Sequence, residues 1–310
     1  MKFYEDLNDV EITAPCAISL GKFDGLHIGH KLLMSELNKA KESGLLAVAV
    51  TFSIPPNALD GEDFRVLTTK PEKLWIFEQA GIDVLIELPF TKELRAMEPE
   101  AFLAMVTEKI PVKEIVAGTD FRFGKNRSGD YKTLLENEER FGYRAVIFEK
   151  VQDDGMDISS TRIREAVKEG NLAEANRLLG YDYFLSGKVV VGNQLGRTIQ
   201  VPTANLLVPK EKLLPPNGGY VTHLTVDGKV YGGISNIGYK PTVGENEPFS
   251  VETHIFDFNE DIYGKQIWVS FLEYLRPEKK YDSLDALKKQ IDLDIKTSRE
   301  ILARIEKQRI

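Results

Sequence analysis

Only one of the 310 residues is cysteine, Cys16, which excludes an internal disulfide framework and a cysteine-rich zinc site. Histidine is almost as scarce, with four in all: His27, His30, His223 and His254. No stretch of about 18 apolar residues is present to span a bilayer. The opening MKFYEDLNDVEI lacks the apolar core of a secretory signal. No long run of Lys or Arg occurs, and the net charge is −8, which argues against a nucleic-acid surface as the main business of the chain. The cytoplasm is therefore the expected compartment, with neither membrane nor nucleic acid as a partner.

What is present is ordinary globular material, 42% hydrophobic and 28% charged, in a length with room for two domains. The first half alternates. CAISLG (16–21) and GLLAVAVTF (44–52) read as buried strands, and residues 29–43 between them carry Leu33, Leu37 and Ala40 at helical spacing. KPEKLWIFEQAG, IDVLIELPF, PEAFLAMVTEKI, VKEIVAG, DYKTLLENEERFG and YRAVIFEKV continue the pattern as helix, strand, helix, strand, helix and strand. SSTRIREAVKEGNLAEANRLLG closes it with one or two helices. This βαβα order predicts a largely parallel sheet covered on both faces. After Tyr181–Leu185 short alternating runs take over, such as GYVTHLTVD, KVYGGISNIG and KQIWVSFLEYL. Turns like VDGK and PNGG divide them, predicting antiparallel strands in a small barrel or sandwich. The C-terminal stretch from DSLDALKKQI carries Leu284, Leu287, Ile291 and Ile295 at helical spacing, with Asp282 or Ser283 as the N-cap.

Half of the histidines fall within SLGKFDGLHIGHK (19–31). A glycine-rich turn between a buried strand and a helix start is a site for phosphate, because unpaired backbone N–H groups and the helix dipole both favour anions. Gly21, Gly25 and Gly29 let the backbone approach closely. His27 and His30, at i and i+3, share one side of the first turn and can donate N–H to phosphate oxygens. A metal site has the same spacing, but no nearby Cys, Glu or further His completes a ligand set. Spacing by itself leaves a structural role for the pair open.

GLHIGH contains the H-I-G-H signature of the nucleotidyltransferase superfamily. GKFDGLHIGH, AGTDFRFGKNRSGD (117–130) and ISSTRIREA (158–166) together resemble the adenylyltransferase module of the bacterial bifunctional riboflavin kinase/FMN adenylyltransferases, also called FAD synthetases. GRTIQVPTANL (196–206), NIGYKPTVG (236–244) and VETHIFDFNEDIYGK (251–265) resemble the same family's kinase module. The resemblance runs essentially end to end. It implies a Rossmann-like nucleotidyltransferase domain over 1–183, then a small antiparallel β-barrel with a terminal α-helix over 184–310. The implied chemistry is adenylylation of FMN to FAD and phosphorylation of riboflavin to FMN, both with ATP and Mg²⁺. Small molecules are the implied partners, and a homo-oligomer is compatible with the sequence.

Residue by residue, the resemblance assigns His27, His30 and Arg164 to catalysis of adenylyl transfer. Gly21, Phe23, Asp24, Gly25, Gly29, Ser160 and Thr161 are assigned to ATP, and Asp120 and Phe123 to the flavin. In the kinase module it assigns Gly196, Thr203 and Asn205 to ATP, the last two also to Mg²⁺, and Glu252 as the base for the riboflavin 5′-hydroxyl. The residues alone offer blander readings. SST caps a helix, Phe121 and Phe123 form one sheet face on a core, and Glu252 and His254 share a solvated strand face opposite Val251, Thr253 and Ile255. GTDFRFGK is not a phosphate-binding P-loop, since five residues separate its glycines. Departures from the family pattern are Gln200–Val201 before PTAN, Gly218–Gly219–Tyr220, and Lys22. They make an adenylyltransferase with a weakened or silent kinase module one alternative, and a non-catalytic flavin-binding protein another. An aminoacyl-tRNA synthetase shares H-I-G-H, but a K-M-S-K-S-type motif is absent.

Overall fold

Three runs in the first half, CAISL, LAVAVTF and VLIEL, have an apolar or small side chain at almost every position, as strands covered on both faces require. In the computed structural model, which describes residues 1–53, 65–192, 201–239, 249–279 and 281–309, they form β2 (Cys16–Leu20), β3 (Leu46–Phe52) and β4 (Val84–Leu88). With β1 (Lys2–Tyr4), β5 (Val112–Gly118) and β6 (Arg144–Phe148) they make one six-stranded sheet in the order β1-β4-β3-β2-β5-β6. Every pairing in it is parallel. Helices α1 (Ile28–Ala40), α2 (Lys70–Gln79) and α3 (Pro99–Lys109) lie in the crossovers. The entry to α2 is held by a capping box, in which Thr69 N–H donates to the buried Glu72 carboxylate at 2.9 Å.

The strand order reverses between β2 and β5, which are hydrogen-bonded neighbours although β3 and β4 intervene in sequence. Outside the carboxyl ends of strands at such a switch point an open α/β sheet has its natural crevice. The turn after β2 leads directly into His27 and α1, and the turn after β5 into Asp120. The fold thus brings SLGKFDGLHIGH and GTDF to one place although about 90 residues separate them.

The chain divides into two compact units, Met1–Ser160 and Thr161–Ile310, so the division falls before the change of texture near residue 183. The reason lies in α4 (Ser160–Lys168) and α5 (Leu172–Leu179). Asn176 on α5 donates to Phe271 O at 3.0 Å and accepts from Tyr183 N–H at 2.7 Å, tying the helix to the strands that follow.

In the second unit β7 (Phe184–Val190), β8 (Ala204–Leu207), β9 (Gly218–Val226), β10 (Lys229–Tyr239), β11 (Phe249–Ile255) and β12 (Gln266–Arg276) close into an antiparallel barrel, ordered β7-β8-β11-β10-β9-β12. Of the barrel and sandwich predicted, the barrel forms. Period-2 alternation puts Val251, Thr253 and Ile255 inside, almost fully buried. The interior is not wholly apolar: the Thr222, Ser235 and Thr253 hydroxyls form a chain at 3.0 and 2.7 Å, each satisfying the next. The terminal helix α6 (Leu284–Arg309) is capped by Ser283, whose Oγ accepts from Ala286 N–H at 3.2 Å. It packs Leu302 into a cluster with Val221, Phe256 and Leu272 on the outside of the barrel. Burial of such a side chain contributes about 1.5–3 kcal/mol. An ion pair from Arg276 to the buried Asp294, at 2.8 Å, fixes the helix to β12.

Candidate functional site

Two groups of residues stand out, one in each unit. In the first, the turn Gly21–His27 departs from ordinary backbone. Phe23 (φ 49°), Gly25 (φ 83°) and Leu26 (φ 32°) all have positive φ. Bulky residues adopt this only when their surroundings hold them there. The Phe23 ring does so from the core, almost fully buried and edge-on to His30 and Phe77 at 5.1 and 5.7 Å. A Cβ on Gly21 would stand 2.9 Å from that ring, so the glycine makes room for it. Asp24 is buried and accepts from Leu67 N–H at 3.1 Å, Thr68 N–H at 3.0 Å and the Thr68 hydroxyl at 3.3 Å. Gly25 N–H donates to Thr68 Oγ1 at 3.2 Å, and Ser160 Oγ–H donates to Asp24 O at 2.8 Å. Phe23 and the Asp24 carboxylate are thereby committed to bracing the turn, and what they leave toward the crevice is its backbone.

His27 caps α1. Its Nδ1 accepts from His30 N–H at 3.4 Å, which places the imidazole proton on Nε2. The two rings stack, centroids 3.7 Å apart and planes inclined by 16°. Gly29 lies under the His27 ring, where a Cβ would come within 3.3 Å. Burial holds the His27 pKa down to about 4 despite the opposing attraction of Asp120 and Asp24. Burial, with the neighbouring His27, also holds His30 well below its ordinary value. Both imidazoles are neutral near pH 7, so what the pair can offer is directed N–H groups rather than charge. A buried neutral donor beside a helix N-terminus suits an incoming polyphosphate, whose charge would in turn favour the protonated form.

Asp120 is exposed at the end of β5, 3.6 Å from Lys150, whose ammonium is also 2.8 Å from Asp157. Lys150 is the nearby cation that sequence reasoning missed. The signal was its place two residues beyond β6, at the carboxyl edge of a strand next to the switch point. Phe123 packs inward, stacked on Phe121 at 5.2 Å and tilted against Phe102 at 5.9 Å. The half-buried ring of that pair is Phe121. Thr161 is exposed and Arg164 half-buried, both on α4 in the second unit.

In the barrel two pockets share one wall residue. The first, about 420 Å³, is lined by Gly192, Thr203, Asn205, Asn259, Asp261 and Tyr263 among others. The second, about 590 Å³, includes Thr203, Asn236, Glu252, His254, Leu287 and Ile291. Among the described residues Thr203 alone lines both. Strand register explains the grouping: Asn205 on β8 pairs with Glu252 on β11, which pairs with Asn236 on β10. These three sit in one row on the outer face of the sheet. The Asn205 amide N–H group reaches Thr203 O at 3.3 Å and Oγ1 at 3.4 Å, while its buried Oδ1 has no partner among the described residues. Gly192 is required beside it, since a Cβ there would stand 2.5 Å from the Asn205 amide. Val201 lines the second pocket, while Gly196 and Gln200 fall outside the described residues. Gly218, which keeps the family's glycine, has φ 148°, and a Cβ there would meet Arg276 O at 2.3 Å; at the departing Gly219 a Cβ would come no closer than 3.6 Å, to the Arg276 side chain.

Comparison with known proteins matches both halves. The FAD synthetase family model matches residues 9–162 and the riboflavin kinase family model residues 179–302. Bifunctional riboflavin kinase/FMN adenylyltransferases of Bacillus subtilis and Escherichia coli K12 are 35% and 34% identical, over 92% of this chain and 92% of each relative. A Streptococcus pneumoniae crystal structure described as a macrolide-efflux protein superposes with a TM-score of 0.84 at 32% identity, covering 96% of this chain and 98% of that one. Among the described residues here, no helix is long and apolar enough to cross a membrane. With a Rossmann-like sheet bearing the stacked histidines and a closed barrel bearing the Asn205–Glu252–Asn236 row, the chain belongs to the bifunctional riboflavin kinase/FMN adenylyltransferase family, which makes FMN from riboflavin and FAD from FMN.

Proposed function

We propose that residues 1–183 transfer AMP from ATP to FMN and residues 184–310 transfer the γ-phosphoryl group of ATP to riboflavin, with the residues in the following roles. In the first reaction an FMN phosphate oxygen attacks the α-phosphorus of ATP, the bond to the β-phosphate oxygen breaks, and pyrophosphate leaves. His27 Nε2–H and His30 donate to phosphate oxygens, and the backbone of Gly21, Gly25 and Gly29 together with the start of α1 cradles the triphosphate. Phe23, Asp24 and Ser160 hold that turn in shape. Asp120 with the Phe121–Phe123 pair serves the flavin.

In the second reaction Glu252 takes the proton of the riboflavin 5′-hydroxyl, the oxygen attacks the γ-phosphorus, and ADP leaves. ATP occupies the first pocket and riboflavin the second, and Gly196 keeps its assignment to ATP from the family resemblance alone. The apolar side chains of α6 form one wall for the flavin ring. Thr203 and Asn205 would hold a magnesium ion. The buried Asn205 Oδ1, without a partner among the described residues, supports this, since amide and hydroxyl oxygens are hard ligands for that ion. Bound there, the ion would neutralise charge on the transferring phosphates.

The observation that carries this reading is the meeting of two pockets at Thr203, with Glu252 in the pocket of the acceptor. Glu252→Gln tests it. Riboflavin phosphorylation is expected to fall by about 10²–10⁴-fold, the range for loss of a general base, while FAD formation from FMN continues at the parent rate. Undiminished riboflavin turnover would remove Glu252 from its role.

A further inference from the structure

The barrel site contains a histidine that no step above uses. His254 shares the outer face of β11 with Glu252, two residues on, and lines the same pocket. Its Nδ1 lies 2.9 Å from Pro202 O. A carbonyl oxygen only accepts, so Nδ1 carries the proton and donates. Pro202 has no N–H and a ring-fixed φ, which makes its carbonyl the one polar handle by which its own backbone can be held. That carbonyl is coplanar with the N–H and Cα of Thr203, because all belong to one peptide unit. Fixing it orients Thr203, the residue common to the two pockets.

From the other side Asn205 reaches Thr203 through O and Oγ1. Thr203 is therefore held by Asn205 of β8 and, one peptide earlier, by His254 of the strand that bears Glu252. We infer that His254 is a positioning residue for phosphoryl transfer. It ties the ATP-side residue Thr203 to the strand of the base Glu252, so that donor and acceptor pockets keep a fixed alignment. Misplacement of reacting groups by about 1 Å costs on the order of 100-fold in rate, so a tether two residues from the base has leverage without touching substrate.

This inference rests on the kinase reading given above, and two substitutions separate shape from hydrogen bonding. Asparagine carries a donor on Cγ where histidine carries Nδ1, whereas phenylalanine keeps the ring, and its edge-on contact with Phe256 at 5.9 Å, without the donor. Both variants, as full chains, are assayed for riboflavin phosphorylation, with FAD formation from FMN in the same preparation as an internal control. For His254→Phe the kcat for FMN formation is expected to fall about tenfold with KM for riboflavin within twofold of the parent. His254→Asn is expected to recover to within about threefold. Equal activity of parent and His254→Phe would overturn the inference. So would equal defects in both variants, which would make the ring's packing the cause. If Glu252→Gln is inactive while His254→Phe is normal, only the tether falls. If Glu252→Gln is active, the kinase reading itself falls and the tether with it.

Discussion

Acid should weaken the first unit by an amount traceable to His27. In the folded chain burial holds this imidazole at about 4 against an ordinary 6.5, and only 6% of the residue is exposed. Between those values the unfolded chain binds a proton that the native chain does not, so stability is full above about pH 6.5 and is lost as pH falls. The interval corresponds to about 3 kcal/mol at its limit, and linkage gives about 2 kcal/mol at about pH 5. Protonation also silences Nδ1 as the acceptor that caps α1, so a buried charge appears as the cap is lost. His27→Asn retains a capping acceptor without a titrating group. In a Trp268→Phe background the remaining tryptophan, Trp75, reports on the first unit. Urea unfolding followed by its fluorescence is expected to show the parent losing about 2 kcal/mol more than His27→Asn between about pH 7 and pH 5. Parallel pH profiles for the two would refute the buried neutral imidazole.

Two further substitutions test the supports of each site. Gly192→Ala puts a Cβ 2.5 Å from the Asn205 amide, forcing that side chain from Thr203. It is expected to lower riboflavin phosphorylation by about 100-fold with FMN adenylylation unchanged in the same assay. Asp24→Ala strands the Leu67 and Thr68 donors inside the first unit. It is expected to cost about 2–4 kcal/mol in denaturant melts, and an unaltered midpoint would show that the turn is braced elsewhere.

Much of the fold was legible because its signals are periodic. VKEIVAG is β5 residue for residue, and the long amphipathic pattern at the end is α6 with Ser283 as its cap. Three residues have no period, so β1 could not be read from KFY; only its pairing with β4 makes it a strand. DYKTLLENEERFG reads as one helix, but it breaks into Tyr131–Glu136 and Glu138–Phe141 at Asn137. The stripe Leu284, Leu287, Ile291 and Ile295 was visible, yet hydrophobic spacing does not distinguish a core from the wall of a pocket. The first three line the second pocket, and Ile295 packs against the barrel's outer cluster. At the candidate sites, motif resemblance pointed to His27, Thr203, Asn205 and Glu252. The stacking of the histidines, the commitment of the Asp24 carboxylate to backbone, and the nearby Lys150 all depend on residues brought together from distant strands. No local pattern encodes those contacts.

The most direct test of the account is to give the purified chain ATP and Mg²⁺ with riboflavin in one reaction and FMN in another, and to separate the flavins by HPLC. The account predicts FMN and then FAD from riboflavin, and FAD directly from FMN. FAD from FMN with riboflavin untouched would contradict the kinase site built on Thr203, Asn205 and Glu252. FMN accumulating from riboflavin without FAD would contradict the site built on His27 and His30.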